Sequence, residues 1–116
     1  MTSIKIFGIK SCSTMSKAMK WLDENSIEYY FHDYKKQSID ETTLSQWLKQ
    51  APWDSLINKR GTTWRKLSDF DKQDIDNNKA IQLMIANTSL IKRPVLVIGE
   101  KIHLGFKPEQ YQQIFK

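Results

Sequence analysis

The spacing of apolar residues changes several times along the chain, and each change marks an element. Ile4, Lys5, Ile6 and Phe7 read as a short strand, stopped by Gly8. From Ser13 onward, Met15, Ala18, Met19 and Leu22 recur at helical spacing and form one apolar stripe, with Asn25-Ser26 at its end. Tyr29 to Tyr34 is rich in aromatic residues, which suits a second strand. Strand, helix and strand within about thirty residues make a βαβ unit, so the two strands are expected to be parallel with a right-handed crossover.

The stretch of roughly 38–90 has helical periodicity. Ser38 or Asp40 is placed to cap a helix whose inner face is Leu44, Trp47 and Leu48. Pro52 suits the first turn of a short helix carrying Leu56 and Ile57. Lys59 to Trp64 reads as a loop pivoting on Gly61, and Asn78 as the cap of a helix bearing Ile81, Met84 and Ile85. The unbroken apolar run Val95 to Ile98 then suggests a strand buried on both faces. Gly99-Glu100 makes a two-residue hairpin turn, Lys101 to Leu104 the returning strand, and Pro108 opens a last helix with Tyr111, Ile114 and Phe115 inward. The order βαβ, helical block, ββα predicts an α/β chain. Its expected form is one thioredoxin-like domain over residues 1–116, with a mixed four-stranded sheet and a central helical insertion.

Composition narrows the function classes. A chain of 116 residues with 40% hydrophobic content suits one core that needs no staple. Its single cysteine excludes an intrachain disulfide, which points to a reducing compartment, the cytoplasm. Met1 to Phe7 lacks the order of a signal peptide, and no apolar run is long enough to cross a membrane, so no membrane partner is expected. The net charge of +5 is scattered over Lys35-Lys36, Lys59-Arg60, Arg65-Lys66 and Lys92-Arg93, a pattern compatible with small anionic ligands rather than a basic tail. Aromatic and basic residues do not interleave as in a nucleic-acid platform, so no nucleic acid is expected. His32 and His103 with one cysteine lack metal-ligand spacing, and no glycine-rich phosphate loop is present; no metal and no bound cofactor are expected.

Chemistry concentrates on Cys12. Taken alone, a lone cysteine is more often a small buried apolar residue. This one lies in the turn between the first strand and the first helix, among Ser11, Ser13 and Thr14. There the unpaired N–H groups of Ser13, Thr14 and Met15 favour an anion, hence thiolate over thiol. A free cysteine is only roughly 3% thiolate at pH 7, and about 2 kcal/mol is needed to make it half thiolate. A helix terminus alone supplies about 0.3–1 kcal/mol at an exposed site, so hydrogen bonds to the sulfur or nearby cations must supply the rest. Lys10, Arg60 and Arg93 are the candidates to support the sulfur or hold an anion beside it. Cys12-Ser13-Thr14-Met15 has the C-x-x spacing of a dithiol site with Met15 in place of the second sulfur. Any disulfide on Cys12 is therefore mixed, and an external thiol must clear it. Ala18 stands where a cysteine phosphatase would need arginine.

Three segments are specific enough to carry a resemblance: Gly8-Ile9-Lys10-Ser11-Cys12-Ser13-Thr14, Arg60-Gly61-Thr62-Thr63-Trp64-Arg65-Lys66-Leu67 and Ile91-Lys92-Arg93-Pro94. With His32-Asp33-Tyr34 and Leu104-Gly105-Phe106, they resemble the ArsC/Spx family, closest to its YffB-like branch, over nearly the whole chain. The resemblance implies a thioredoxin-like fold, Cys12 as nucleophile, and Arg60 and Arg93 as arginines that hold an oxyanion or a glutathione carboxylate. It also implies a cis peptide before Pro94, where a partner backbone would dock. The implied activity is glutathione-dependent thiol reduction, with glutathione as co-substrate and glutaredoxin as a further partner. One alternative is an Spx-like, non-enzymatic protein that binds RNA polymerase; the C-x-x-C pair typical of those regulators is missing. A second is arsenate reduction; Gly8 stands where arsenate reductases carry a histidine, and their third arginine falls at Phe106 or Lys107.

Overall fold

A computed structural model describes residues 3–115. In chain order its elements are β1 (Ile4–Gly8), α1 (Ser13–Glu24), β2 (Tyr30–Asp33), α2 (Tyr34–Gln37), α3 (Glu41–Leu48) and α4 (Trp53–Leu56). There follow α5 (Thr62–Lys66), α6 (Asp69–Lys72), α7 (Asn77–Ala86), a 3-10 turn at Thr88–Leu90, β3 (Val95–Ile98), β4 (Lys101–Leu104) and α8 (Pro108–Ile114). They divide into two compact units: one holds the described residues up to Asp33 and from Arg93 onward, the other Tyr34–Lys92.

The first unit is built on a four-stranded sheet of order β2-β1-β3-β4. β1 pairs parallel with β2, as a βαβ crossover requires, and antiparallel with β3, which pairs antiparallel with β4. This is the thioredoxin-like arrangement expected from the order of elements. The hairpin between β3 and β4 turns on Gly99, whose φ of 62° lies in the left-handed region that glycine enters without steric cost. The register pairs Ile6 with Leu96, and both face α1. There Met15, Ala18 and Leu22 present the stripe seen in the sequence and close one core cluster with Tyr111 of α8, every member fully buried. Each such aliphatic side chain contributes about 1.5–3 kcal/mol on burial. Tyr111 is held edge-on by Trp21 (centroids 5.6 Å apart) and by Phe106 (4.7 Å). Phe7, pointing to the opposite face, stacks on His32 of the edge strand β2 at 4.6 Å. Asn25 caps the end of α1.

The second unit is built from short helices joined by turns. α3 starts at Asp40, one of the two proposed caps, whose Oδ1 accepts from the Thr43 N–H at 2.8 Å; Leu44 and Trp47 turn inward. Ile57 forms an isolated bridge with Ile91, flanked by two main-chain bonds of 2.7 Å, the Lys92 N–H donating to Leu56 O and the Asn58 N–H donating to Leu90 O. Several expectations are corrected here. The cap of α7 is Asp76, accepting from the Lys79 N–H at 2.8 Å, while Asn78 lies inside the helix: a carboxylate with the correct offset to N3 outcompetes the amide. Ile85 is 38% exposed, because Ile81 and Met84 with Ala80 and Leu83 already complete the inner face. The expected loop Lys59–Trp64 ends early: Gly61 is the N-cap and α5 begins at Thr62. Pro52 is an N-cap rather than a first-turn residue, and Tyr34 leaves the strand to start α2.

Candidate active site

β1 carries the chain to Gly8 in the middle of the sheet, and the turn that follows closes with the Cys12 N–H donating to Ile9 O at 3.1 Å. Cys12 is the N-cap of α1, extended at φ −78° and ψ 130°, and its carbonyl accepts the first helical bond from Ser16 at 3.1 Å. In that position its side chain faces the donors at the second and third helical positions, which are Thr14 and Met15. Of the donors proposed from the sequence, the Met15 and Thr14 N–H groups are those that lower the thiol, and Ser13 is not among them.

Sheet register brings the cation. Phe7 pairs with Val95, so the residues just before β3 lie beside the turn that follows β1. Arg93 is one of them. The Arg93–Pro94 peptide bond is cis, as the resemblance implies, and Pro94 is buried, with its carbonyl accepting from the Gly105 N–H at 2.9 Å. Arg93 directs its guanidinium at the Cys12 sulfur. The Cys12 side chain is half-buried. Burial by itself pushes the thiol up. The Met15 N–H, the Arg93 guanidinium with its charge and the Thr14 N–H together outweigh burial and hold the thiol below the ordinary cysteine range. At a given pH the sulfur therefore carries more thiolate than an ordinary cysteine.

The other proposed residues are placed differently. Lys10 is exposed in the β1–α1 turn and is not among the groups that shift the thiol. Phe106 is spent on Tyr111, and Lys107 is the exposed N-cap of α8. Arg60 belongs to the second unit, exposed, with its N–H donating to Asn58 Oδ1 at 3.2 Å and its carbonyl accepting from Arg65 Nη2 at 3.0 Å. Beside it Lys59 Nζ lies 4.9 Å from the Trp53 ring and 5.8 Å from Trp64, and Lys72 Nζ lies 5.5 Å from Trp64. This ladder of cations and rings holds the Arg60 segment in shape. Sequence reasoning overlooked the contact between Gly8 and Met15, for which the only signal was a glycine ending a strand seven positions before a helical methionine.

Known proteins share this architecture. The YFFB (PA3664) protein is 47% identical, with a TM-score of 0.92 over 96% of this chain and 97% of its own. An arsenate reductase (ArsC) related protein from Brucella melitensis is 48% identical, with a TM-score of 0.78 over 98% and 95%. An uncharacterized protein of Haemophilus influenzae is 41% identical over 112 residues, 97% of this chain and 98% of its own. A more distant relative, 26% identical over 109 residues, is the global transcriptional regulator Spx 2 of Lactococcus lactis, matched over 92% of this chain and 82% of its own. The family model described as "ArsC family" matches residues 7–114, from the end of β1 to the end of α8, and the chain belongs to that family.

Proposed function

We propose that this chain is a thiol oxidoreductase that reduces glutathione mixed disulfides through Cys12, with glutathione as the external reductant. The observation that carries this reading is the convergence on one half-buried sulfur of two helix N–H donors and the Arg93 guanidinium. Membership of a family that includes arsenate reductase related proteins supports the oxidoreductase kind.

In the first step the Cys12 thiolate attacks the glutathionyl sulfur of R–S–S–glutathione. The old S–S bond breaks, R–S⁻ leaves with the electron pair and takes a proton from water, and a Cys12–glutathione disulfide forms. Cys12 is the only cysteine of the sequence, so the resolving thiol comes from outside. In the second step a glutathione thiolate attacks the glutathionyl sulfur of that adduct, giving oxidised glutathione and returning Cys12 as thiolate. Summed over both steps, R–S–S–glutathione and one glutathione thiol give R–SH and oxidised glutathione, and the disulfide bond passes from the substrate to the glutathione pair. Arg93 serves both steps, because it stabilises the sulfur anion as nucleophile and again as leaving group. Arg60 keeps the anion-holding part that the resemblance implies, Lys10 stays a candidate cation for the same anion from its place in the sequence, and Pro94 keeps that of a docking surface for a partner backbone.

The test is single turnover with a glutathionylated peptide, with the adduct counted by mass spectrometry. Wild type is expected to carry one glutathionyl group and Cys12→Ser none. Equal adduct counts in the two proteins would rule the mechanism out. The Spx relative favours a second reading, a non-enzymatic partner of RNA polymerase. Specific retention on RNA polymerase without glutathione turnover is the outcome that selects it, and arsenate-dependent consumption of glutathione in the presence of glutaredoxin would select arsenate reduction.

A further inference from the structure

We propose that Met15, seated on Gly8, is the positioning residue that aims the first turn of α1 at the Cys12 sulfur. This inference deepens the thiol reading above and rests on it.

Met15 does two things at once. Its main-chain N–H, at the third position of the helix that Cys12 caps, is among the groups that lower the thiol, while its side chain, fully buried, enters the core beneath α1. That side chain lies flush against the end of β1. A Cβ added to Gly8 would overlap the Met15 Sδ and stand 2.8 Å from its Cε and 2.9 Å from its Cγ. Gly8 is buried and is not among the glycines of positive φ, which are Gly99 and Gly105. Backbone freedom therefore does not explain a glycine here. The missing side chain does, because only a bare Cα lets the thioether reach the strand.

The consequence is geometric. Gly8 and Met15 touch, and the chain between them folds back through the Cys12-to-Ile9 bond of 3.1 Å and the Ser16-to-Cys12 bond of 3.1 Å. The sulfur hangs from a short closed segment whose two ends are clamped together. Donor bonds to a thiolate weaken steeply with misdirection, so a shift of α1 along β1 would loosen the Met15 and Thr14 N–H groups from the sulfur before it unfolded anything. Leu22, about two turns along the same helix and equally buried, anchors α1 without touching this segment.

The experiment is the rate of Cys12 alkylation by iodoacetamide against pH, in wild type and in Met15→Ala, Gly8→Ala, the double variant Gly8→Ala/Met15→Ala, and Leu22→Ala. Folding is followed by circular dichroism, with sucrose present to hold weakened variants folded. Met15→Ala and Gly8→Ala are expected to move the profile to higher pH and to lower the rate at pH 7 about threefold, as a smaller thiolate fraction dictates. The double variant, with a methyl group in the notch the thioether has left, is expected to return toward wild type. Leu22→Ala is expected to melt earlier with its profile in place. A wild-type profile in folded Met15→Ala overturns the proposal, as does an equal displacement in Leu22→Ala or a double variant no nearer wild type than Met15→Ala. Should Gly8→Ala not fold, Met15→Ala, the double variant and Leu22→Ala decide by the same criteria. Alkylation needs no substrate, so an absence of glutathione turnover in wild type would sink the proposed function and still leave this result readable.

Discussion

Arg93 gives the sharpest test of the reasoning, because one substitution removes both a hydrogen bond and a charge from the sulfur. Arg93→Gln keeps much of the side-chain volume and deletes the cation. A hydrogen bond to a charged group is worth about 1.5–3 kcal/mol when well shielded. Cys12 is only half-buried, and water and salt screen part of that interaction, which leaves about 1 kcal/mol. Such a loss lowers the thiolate population about fivefold wherever the thiol form dominates. The assay is again iodoacetamide alkylation against pH, at low and at high salt. The Arg93→Gln profile is expected to move to higher pH, with the difference from wild type shrinking as salt rises. Arg93→Lys should fall between the two, since the charge remains and the planar fork is lost. An Arg93→Gln profile superimposed on wild type at low salt would refute the claim that this guanidinium holds the thiol down, and the helix donors would then have to act alone.

Two further outcomes follow from the same structure. The folded thiol titrates below its ordinary unfolded value, so its anion contacts stabilise the fold fully above that unfolded value and are lost as pH falls through the lower folded one. The stability advantage of wild type over Cys12→Ser, measured by urea unfolding, should therefore grow from pH 6 to pH 9; a difference that shrinks would reverse the assigned sign. In the second unit, Asp76→Ala should cost about 1 kcal/mol by loss of the α7 cap, and the exposed Asn78→Ala should cost nothing, because alanine is the better helix former inside α7. The opposite ranking in urea melts would contradict the cap assignment.

Local patterning was legible in the chain itself. The stripe Met15, Ala18 and Leu22, the run Val95–Ile98, the turn at Gly99 and the order βαβ then ββα were enough to predict the sheet and the helix at whose start Cys12 sits. Those features depend on neighbours in sequence, where periodicity and steric preference act directly. Caps were less legible: Asp76 and Asn78 are both good capping types two positions apart, and only the direction in which the chain enters α7 chooses between them.

What tertiary structure decided is which groups share space with the sulfur. Lys10 lies two residues from Cys12 and does not act on it, while Arg93, eighty-one positions away, does. The reason is strand pairing: Phe7 opposite Val95 delivers Arg93 to the turn, and no local rule encodes that register. The fit of Met15 on Gly8 belongs to the same class. Sequence determined that a cysteine would stand at a helix start; packing across the sheet determined which donors and which cation it would meet there.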